Sequence, residues 1–167
     1  KFHPDSRLYN ISLGGGALLD VGVYTIAFAR NIFNKSPESI CAKAHIGETG
    51  VDEHTLMTLS YSQDAFAQIS CAINHSTAHM ARIYGTGGSI EIPDFWHPKT
   101  ATLFRNGAEP EIINEQVGFQ YEAIEAMNCL RNGETECKSI PLNETLDIMR
   151  TLDAIREQIG LRYPSEK

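Results

Sequence analysis

An acidic and a phenolic side chain follow a run of three glycines near the start of the sequence. Asp20 and Tyr24 come four and eight residues after the last of these glycines, Gly16. On a helix, side chains four residues apart lie on the same face, so the two polar groups would share one stripe. Because a carboxyl and a phenol can both accept and donate protons, proton transfer is the chemistry that this pair could support.

A structural role for the same pair is the competing interpretation. Asp20 could cap a neighbouring loop, and Tyr24 could pack its ring while its hydroxyl finds a hydrogen-bond partner, as buried tyrosines usually do. The glycines could also hold a phosphate, but a dinucleotide fingerprint requires G-x-G-x-x-G between a strand and a helix. That pattern does not occur here. The residues alone therefore leave a chemical and a structural interpretation open.

Histidines and cysteines are a second set of candidate groups. His75 and His79 are four residues apart, a spacing that would form a metal-binding face on a helix, but they fall at a predicted strand junction. The four cysteines contain no C-x-x-C pair and are expected to be reduced thiols of a cytoplasmic protein, with Cys41 and Cys71 buried in apolar runs. We therefore expect no metal site, and a metal hydrolase built on the histidines stays as an alternative.

Three segments have the hydrophobic period of helices. Residues 17–33 carry two apolar stripes beside the polar one, which predicts a largely buried helix directly after the glycine run. The period returns at residues 118–132, which Asn132 and Gly133 end, and again at about 143–160. Asn143 is a good capping residue and is predicted to start the last helix.

Between the first two helices the period changes to the alternation of strands. Glycines at residues 85–88 are predicted to form a hairpin, because the residues after them alternate like a strand. In the first three strands one face is apolar and the other is small or mixed. These patterns predict an α+β fold, with an open, predominantly antiparallel sheet of about six strands and helices on one face. The predicted strands are residues 38–47, 53–62, 65–74, 77–84, 89–92 and 101–105.

Composition narrows the classes of partner. The net charge of -7 argues against a nucleic-acid or anionic-membrane surface. No unbroken run of about 18 apolar residues occurs, so we expect no membrane span. The 167 residues fit one domain, and a first residue other than methionine indicates a piece of a longer protein. Small molecules and other proteins remain as partners.

Six segments spread along the chain carry a resemblance to known proteins: residues 6–9, 13–24, 83–90, 118–122, 141–149 and 152–164. They resemble the C-terminal domain of one oxidoreductase family, the glucose-fructose oxidoreductase, inositol dehydrogenase and MocA family. The similarity is to its dimeric dihydrodiol dehydrogenase-like branch and covers nearly the whole chain. It implies that residues 1–167 form a C-terminal substrate-binding and dimerisation domain.

The resemblance also implies roles for individual residues. Tyr24 matches the position at which this branch carries a tyrosine, which implies an acid/base in hydride transfer. Asp20 would orient a lysine from a Rossmann domain outside this sequence, the domain that would hold NAD or NADP. Gly15 and Gly16 would lie near the nicotinamide. The chain alone is therefore expected to show no turnover.

Two residues outside the first helix are candidate contacts for a substrate. His75 is a candidate pocket-lining residue, and Trp96, in an aromatic loop at residues 95–98, would either shape a substrate pocket or close the end of a core. The resemblance implies a small polyol, sugar or dihydrodiol substrate and a homodimer that pairs through the open sheet face. A module that only binds a ligand or dimerises, without catalysis, is the alternative function.

Overall fold

The computed structural model describes residues 6–62 and 64–166, which form two compact units. The first unit comprises the described parts of residues 1–77 and 141–167, and the second comprises Ala78–Ile140. Each unit has its own antiparallel sheet. The glycine run, Asp20 and Tyr24 all belong to the first unit.

In the first unit, strands β1 Ser39–Ile46, β2 Asp52–Tyr61 and β3 Ala65–Ala72 form an antiparallel sheet in that order. Helices α1 Val23–Phe33 and α3 Leu142–Ile159 pack on one face of this sheet. Burial of apolar area, at roughly 25 cal/mol per Å², is the main favourable term that holds the helices to the strands. The buried core includes Leu18, Ile26, Ala29, Ala42, Met57, Leu59, Tyr61, Cys71, Ile148, Leu152 and Ile155.

The alternation predicted for β2 is confirmed, because every residue of its apolar face is buried. Leu56, which points to the other face, is half exposed. Successive strand residues point to opposite faces, so this sheet has one buried and one open face. Cys71 is buried as predicted, but the prediction for Cys41 is wrong, because β1 places that residue on the open face. The buried residues of β2 are Thr55, Met57, Leu59 and Tyr61.

The second unit contains a four-stranded antiparallel sheet and one helix. The hairpin predicted at residues 85–88 is confirmed, since Gly85 and Gly88 are paired across its turn. These glycines therefore connect two strands and do not precede a helix, as a phosphate-binding loop would. The elements are β4 Ala81–Gly85, β5 Gly88–Ile92, β6 Thr100–Arg105, β7 Glu111–Asn114 and α2 Gln120–Arg131.

The α+β class and the open antiparallel sheet are confirmed, and the strands divide between two sheets of three and four where we expected one sheet of about six. The predicted strand at residues 77–84 begins only at Ala81, and His79 before it has a left-handed backbone with φ of 48°. His79 thus lies in the segment between the last strand of the first sheet and the first strand of the second sheet. The sequence pattern does not predict β7, because its four residues are all exposed and carry no two-faced pattern.

The last helix starts differently from the prediction. Pro141 is the residue before α3, and Asn143 lies inside the first turn, so the prediction that Asn143 caps the helix is wrong. Proline suits this place because it has no backbone N–H to leave unsatisfied at a helix start. Further along the helix, Leu152 and Ile155 are buried in the core, whereas Leu146 and Met149 are exposed.

The helix after the glycine run begins with a π-turn. Leu18–Gly22 form this turn and α1 follows directly, so helical backbone covers the predicted residues 17–33. Hydrogen bonds of a π-turn join residues five apart instead of four. The regular α-helical relation between Asp20 and Tyr24 is therefore altered. Such turns inside helices are frequent at functional sites.

The segment Ile11–Phe33, which includes this helix, is apolar and long enough, by composition, to cross a membrane, with a mean hydropathy of 1.5. The criterion of an unbroken apolar run does not detect it, because polar residues such as Asp20 interrupt the run. In this fold, glycines separate the 3-10 turn Ile11–Leu13 from the π-turn. Ile26 and Ala29 then enter the core of the first unit. The apolar side chains of this helix thus cover the three-stranded sheet.

Gly15 and Gly16 pack against the chain's own atoms. The Gly16 N–H donates to the Leu8 carbonyl over 2.9 Å, and the Gly15 carbonyl accepts from the Tyr163 hydroxyl over 2.8 Å. Gly16 has φ of 121°, and a Cβ added there would lie 2.2 Å from Asp52 Oδ1. Only glycine allows both this backbone conformation and this approach.

We expect Gly16→Ala to lower the free energy of unfolding by more than about 2 kcal/mol, because a steric clash adds to backbone strain of about 1–3 kcal/mol. Gly14→Ala is the matched control, since Gly14 also has positive φ but a Cβ there would meet nothing within 4 Å. Urea unfolding of both variants measures the difference. Equal losses in the two variants would contradict the close packing assigned to Gly16.

Candidate active site

Tyr24 stands on the first turn of α1 and is 50% exposed. The same helix buries Ile26 and Ala29 in the core, so a well-packed backbone carries the phenol. A core-packing role does not fit a tyrosine with this exposure. Gly15 and Gly16 are buried against neighbouring backbone at the start of the helix, and a nicotinamide contact at these glycines stays a prediction.

Asp20 forms an ion pair with Arg7, whose Nη2 donates a hydrogen bond to Asp20 Oδ1. The Asp20 side chain is 24% exposed and lies in the π-turn. An ionised carboxylate has about four acceptor positions on its two oxygens, so Asp20 has the capacity to accept from a further cation beside Arg7. Sequence reasoning did not find this pairing, because the partners are 13 residues apart and share no periodic element.

Asp52 is a buried carboxyl that the sequence pattern does not single out. Its Oδ2 accepts hydrogen bonds from the Leu18 N–H over 2.8 Å and from the Thr55 hydroxyl over 2.7 Å. Among the described residues, its Oδ1 has no hydrogen-bond partner. Burial raises the pKa of Asp52, and the hydrogen bonds from Thr55 and Leu18 offset that shift only in part. The carboxyl therefore fastens the start of the π-turn to the first residue of β2.

The charge of Asp52 affects the pKa of two further buried groups, Tyr163 and Cys71. Burial raises the pKa of the Tyr163 phenol to about 12, and the Asp52 carboxylate adds to that shift. Burial likewise raises the pKa of the Cys71 thiol to about 12, again with a contribution from Asp52. Both groups are protonated at neutral pH, so neither is a nucleophile or a base there. Tyr24 is thus the phenol of this region that solvent and ligands reach.

The two candidate substrate-contacting residues lie in different units, and both are exposed. His75 Nδ1 is 2.6 Å from Asn74 Oδ1, and the His75 ring meets the edge of His54 with 4.7 Å between centroids. Trp96 is 49% exposed, and its ring lies 5.6 Å from that of His97. Their substrate contacts stay predictions.

Glu125, Cys129 and Cys137 are, within residues 6–62 and 64–166, the one group of three potential metal ligands. The predicted histidine pair, His75 and His79, is not part of it, so a metal hydrolase built on those histidines gains no support. The two cysteines are eight residues apart in sequence. A search for C-x-x-C spacing therefore does not detect their proximity.

Comparison with known sequences gives a consistent result along the chain. A model of the GFO/IDH/MocA C-terminal domain matches residues 1–91. Trans-1,2-dihydrobenzene-1,2-diol dehydrogenases from Xenopus tropicalis and Homo sapiens are 36% and 31% identical to this chain over 170 and 171 residues. The alignments cover 95% and 96% of this chain and 51% of each relative. The chain thus spans about half the length of the curated relatives it matches.

Solved structures share the fold at lower identity. KijD10, a 3-ketoreductase from Actinomadura kijaniata solved with NADP and TDP-benzene, aligns with 94% of this chain and 50% of its own, with a TM-score of 0.73 and 23% identity. An NAD binding oxidoreductase from Klebsiella pneumoniae aligns with 93% of this chain and 51% of its own, with a TM-score of 0.75 and 16% identity. At these identities the likeness establishes the fold.

We expect Asp52→Asn to gain stability relative to the native chain as the pH rises from about 4 to about 7. A raised carboxyl pKa favours the protonated form in the folded state. The native chain therefore keeps this contribution below the unfolded pKa and loses it as the pH rises through the folded pKa, whereas the amide does not titrate. Urea unfolding across this pH range measures the difference.

The control for the Asp52 experiment is Glu38→Gln, which neutralises an exposed carboxyl in the same unit. The Asp52→Asn difference is read against this variant, which removes a carboxyl that is not buried. If the Asp52→Asn difference instead moved in favour of the native chain with rising pH, the hydrogen bonds to the carboxylate would outweigh its burial, contrary to our account.

Proposed function

Because the chain belongs to the family of GFO/IDH/MocA C-terminal domains, we propose that it is the substrate-side domain of an NAD(P)-dependent oxidoreductase. The observation that carries the proposal is the 36% identity to a dihydrodiol dehydrogenase along 95% of the chain. The other half of such a protein would supply the nucleotide-binding domain. The reaction would move a hydride between NAD(P) and the hydroxyl or carbonyl carbon of a sugar, inositol or trans-dihydrodiol.

Hydride transfer requires a side chain that exchanges a proton with the substrate oxygen. When an alcohol is oxidised, a hydride leaves carbon and a proton leaves oxygen, so the site requires a group that takes this proton and returns it in the reverse reaction. Tyr24 is our candidate, since its phenol is half exposed on a helix that is packed on its other side. A tyrosine with an ordinary pKa near 10 is a poor base at neutral pH. A neighbouring ammonium would favour the phenolate, and a lysine of the nucleotide-binding domain would provide it.

Asp20 is proposed as the positioning residue for that lysine. Its carboxylate already holds the Arg7 guanidinium, and unused acceptor positions would be available for an ammonium group. Arg7 would then hold the Asp20 carboxylate in place, without contact to the substrate. Because Asp20 carries a negative charge, it would disfavour the Tyr24 phenolate if it acted alone. Its contribution therefore depends on the lysine.

His75 and Trp96 are proposed to contact the substrate. An imidazole can donate or accept a hydrogen bond from a hydroxyl group, and an indole ring provides an apolar surface with one N–H donor. These are the interactions that a polyol, a sugar or a cyclic diol would use.

We also propose a cytoplasmic location, which is supported by four free cysteines, since thiols persist in reducing compartments.

The open face of the β1-β2-β3 sheet is proposed to form a homodimer. Leu56 and Phe66 project from this face and are 51% and 61% exposed. A contact between two copies of the same face is self-complementary and closes a two-fold dimer. Large apolar side chains on a flat sheet face are typical of such interfaces.

We expect Tyr24→Phe to lower kcat by on the order of 100-fold, because the phenyl ring cannot exchange a proton with the substrate oxygen. The measurement belongs in a protein that carries this chain together with its nucleotide-binding domain, with KM and the pH profile of kcat recorded as well. Tyr84→Phe is the matched control, since Tyr84 is also exposed but lies in the four-stranded sheet. Near-normal turnover of Tyr24→Phe would contradict the proton-transfer role proposed for Tyr24.

We expect Phe66→Lys to shift the chain from dimer to monomer, because two like charges would face each other across the proposed interface. Light scattering at tens of micromolar measures the mass. Leu13→Lys is the matched control, since Leu13 is 62% exposed but lies outside the sheet. A native chain that is monomeric at that concentration, or a dimer that tolerates Phe66→Lys, would contradict the proposed interface.

A further inference from the structure

The end of α2 and the segment after it bring two thiols and two carboxylates together in the second unit. Cys137 Sγ is 3.5 Å from Glu125 Oε1, and Cys129 Sγ is 4.0 Å from the same oxygen. One donor atom from each of these three residues lies within 4.8 Å of the others. The side chain of Glu134 is hydrogen-bonded to Cys129. Ligand atoms of Glu125, Cys129 and Cys137 therefore surround one point, and Glu134 contacts this group through Cys129.

The backbone builds this cluster. Glu125 and Cys129 are four residues apart on α2, which places them on one face of the helix. After the helix, Gly133 adopts φ of 70°, and the Glu134 N–H donates to the Cys129 carbonyl over 2.9 Å. This helix-terminating turn reverses the chain. The reversal returns Cys137 to the side of Cys129.

We propose that Glu125, Cys129, Glu134 and Cys137 form a zinc site. A tetrahedral Zn²⁺ with Zn–S bonds of about 2.3 Å and Zn–O bonds of about 2.0 Å requires ligand atoms roughly 3.5–3.8 Å apart. The two thiol-to-carboxylate distances meet or nearly meet this requirement. Two thiolates favour Zn²⁺ over Mg²⁺ or Ca²⁺, which prefer oxygen ligands alone. Cys129 is buried and Cys137 is half-buried, as suits a structural site that excludes water.

Lys138 forms an ion pair with Glu134. When Zn²⁺ binds, each thiol releases one proton to solvent, two Zn–S bonds form, and Glu134 exchanges Lys138 for the metal. No oxidation or reduction is involved. The ion would fasten residues 132–140, which contain no helix or strand, to the end of α2.

Calorimetric titration of the complete 167-residue chain with Zn²⁺, in the presence of a phosphine reductant, tests the proposal. We expect one Zn²⁺ per chain and the release of about two protons, measured from the dependence of the binding enthalpy on the buffer. Co²⁺ as a second probe should give a thiolate-to-metal charge-transfer band. Zn²⁺ should also raise the midpoint of thermal unfolding, because it binds the folded state.

Single substitutions test whether Zn²⁺ binds at this cluster and not at another thiol of the chain. Cys137→Ser should weaken Zn²⁺ binding by more than about 100-fold, since even outer-shell partners of a metal contribute about 10–100-fold. Glu125→Gln should also weaken it, whereas Cys41→Ser, which removes an exposed thiol of β1, should bind as the native chain does. Circular dichroism shows whether each variant is folded. Absence of binding to the native chain, equal binding by Cys137→Ser, or a Co²⁺ complex without the thiolate band would overturn the proposal.

Discussion

The buried carboxyl of Asp52 is the contact on which the arrangement of the first unit depends. One of its oxygens accepts from both the Leu18 N–H and the Thr55 hydroxyl, so it joins the first turn of a helix to the start of a central strand. The other oxygen occupies the place where residue 16 would carry a side chain. Burying this group is unfavourable for its ionised form. The core formed by α1, α3 and the sheet offsets that cost and fixes the helix that carries Tyr24.

Local periodicity predicted much of the fold. Alternation along β2 identified its buried residues because side-chain direction in a strand is set every two residues. The helix at residues 17–33 followed from length and apolar stripes in the same way. What the pattern could not show depends on residues distant in sequence. Leu18, which donates to Asp52, and Arg7, which pairs with Asp20, lie 34 and 13 residues away from those carboxyls. A left-handed residue, His79, precedes the second sheet.

The candidate active site likewise combines residues that the sequence pattern predicts with contacts that only the tertiary structure reveals. Tyr24 and Asp20 were predicted because a polar pair beside apolar stripes is visible in the sequence. The family model matches residues 1–91, which include the whole of this helix. Arg7, which pairs with Asp20, was not predicted. The proximity of Cys129 and Cys137 was also hidden, because it arises from a helix-terminating turn at Gly133. Residue identity thus indicated the candidate chemistry, and tertiary structure supplied the partners.

We propose that this domain presents Tyr24 to a substrate whose hydride moves to or from a nicotinamide on another domain. A crystal structure of the two-domain protein with NADP and a substrate alcohol would test this proposal. We expect the Tyr24 hydroxyl to lie within about 2.6–3.2 Å of the substrate oxygen, the reach of a proton-transfer hydrogen bond. A substrate oxygen bound to a different side chain, with Tyr24 facing solvent away from the nicotinamide, would contradict it.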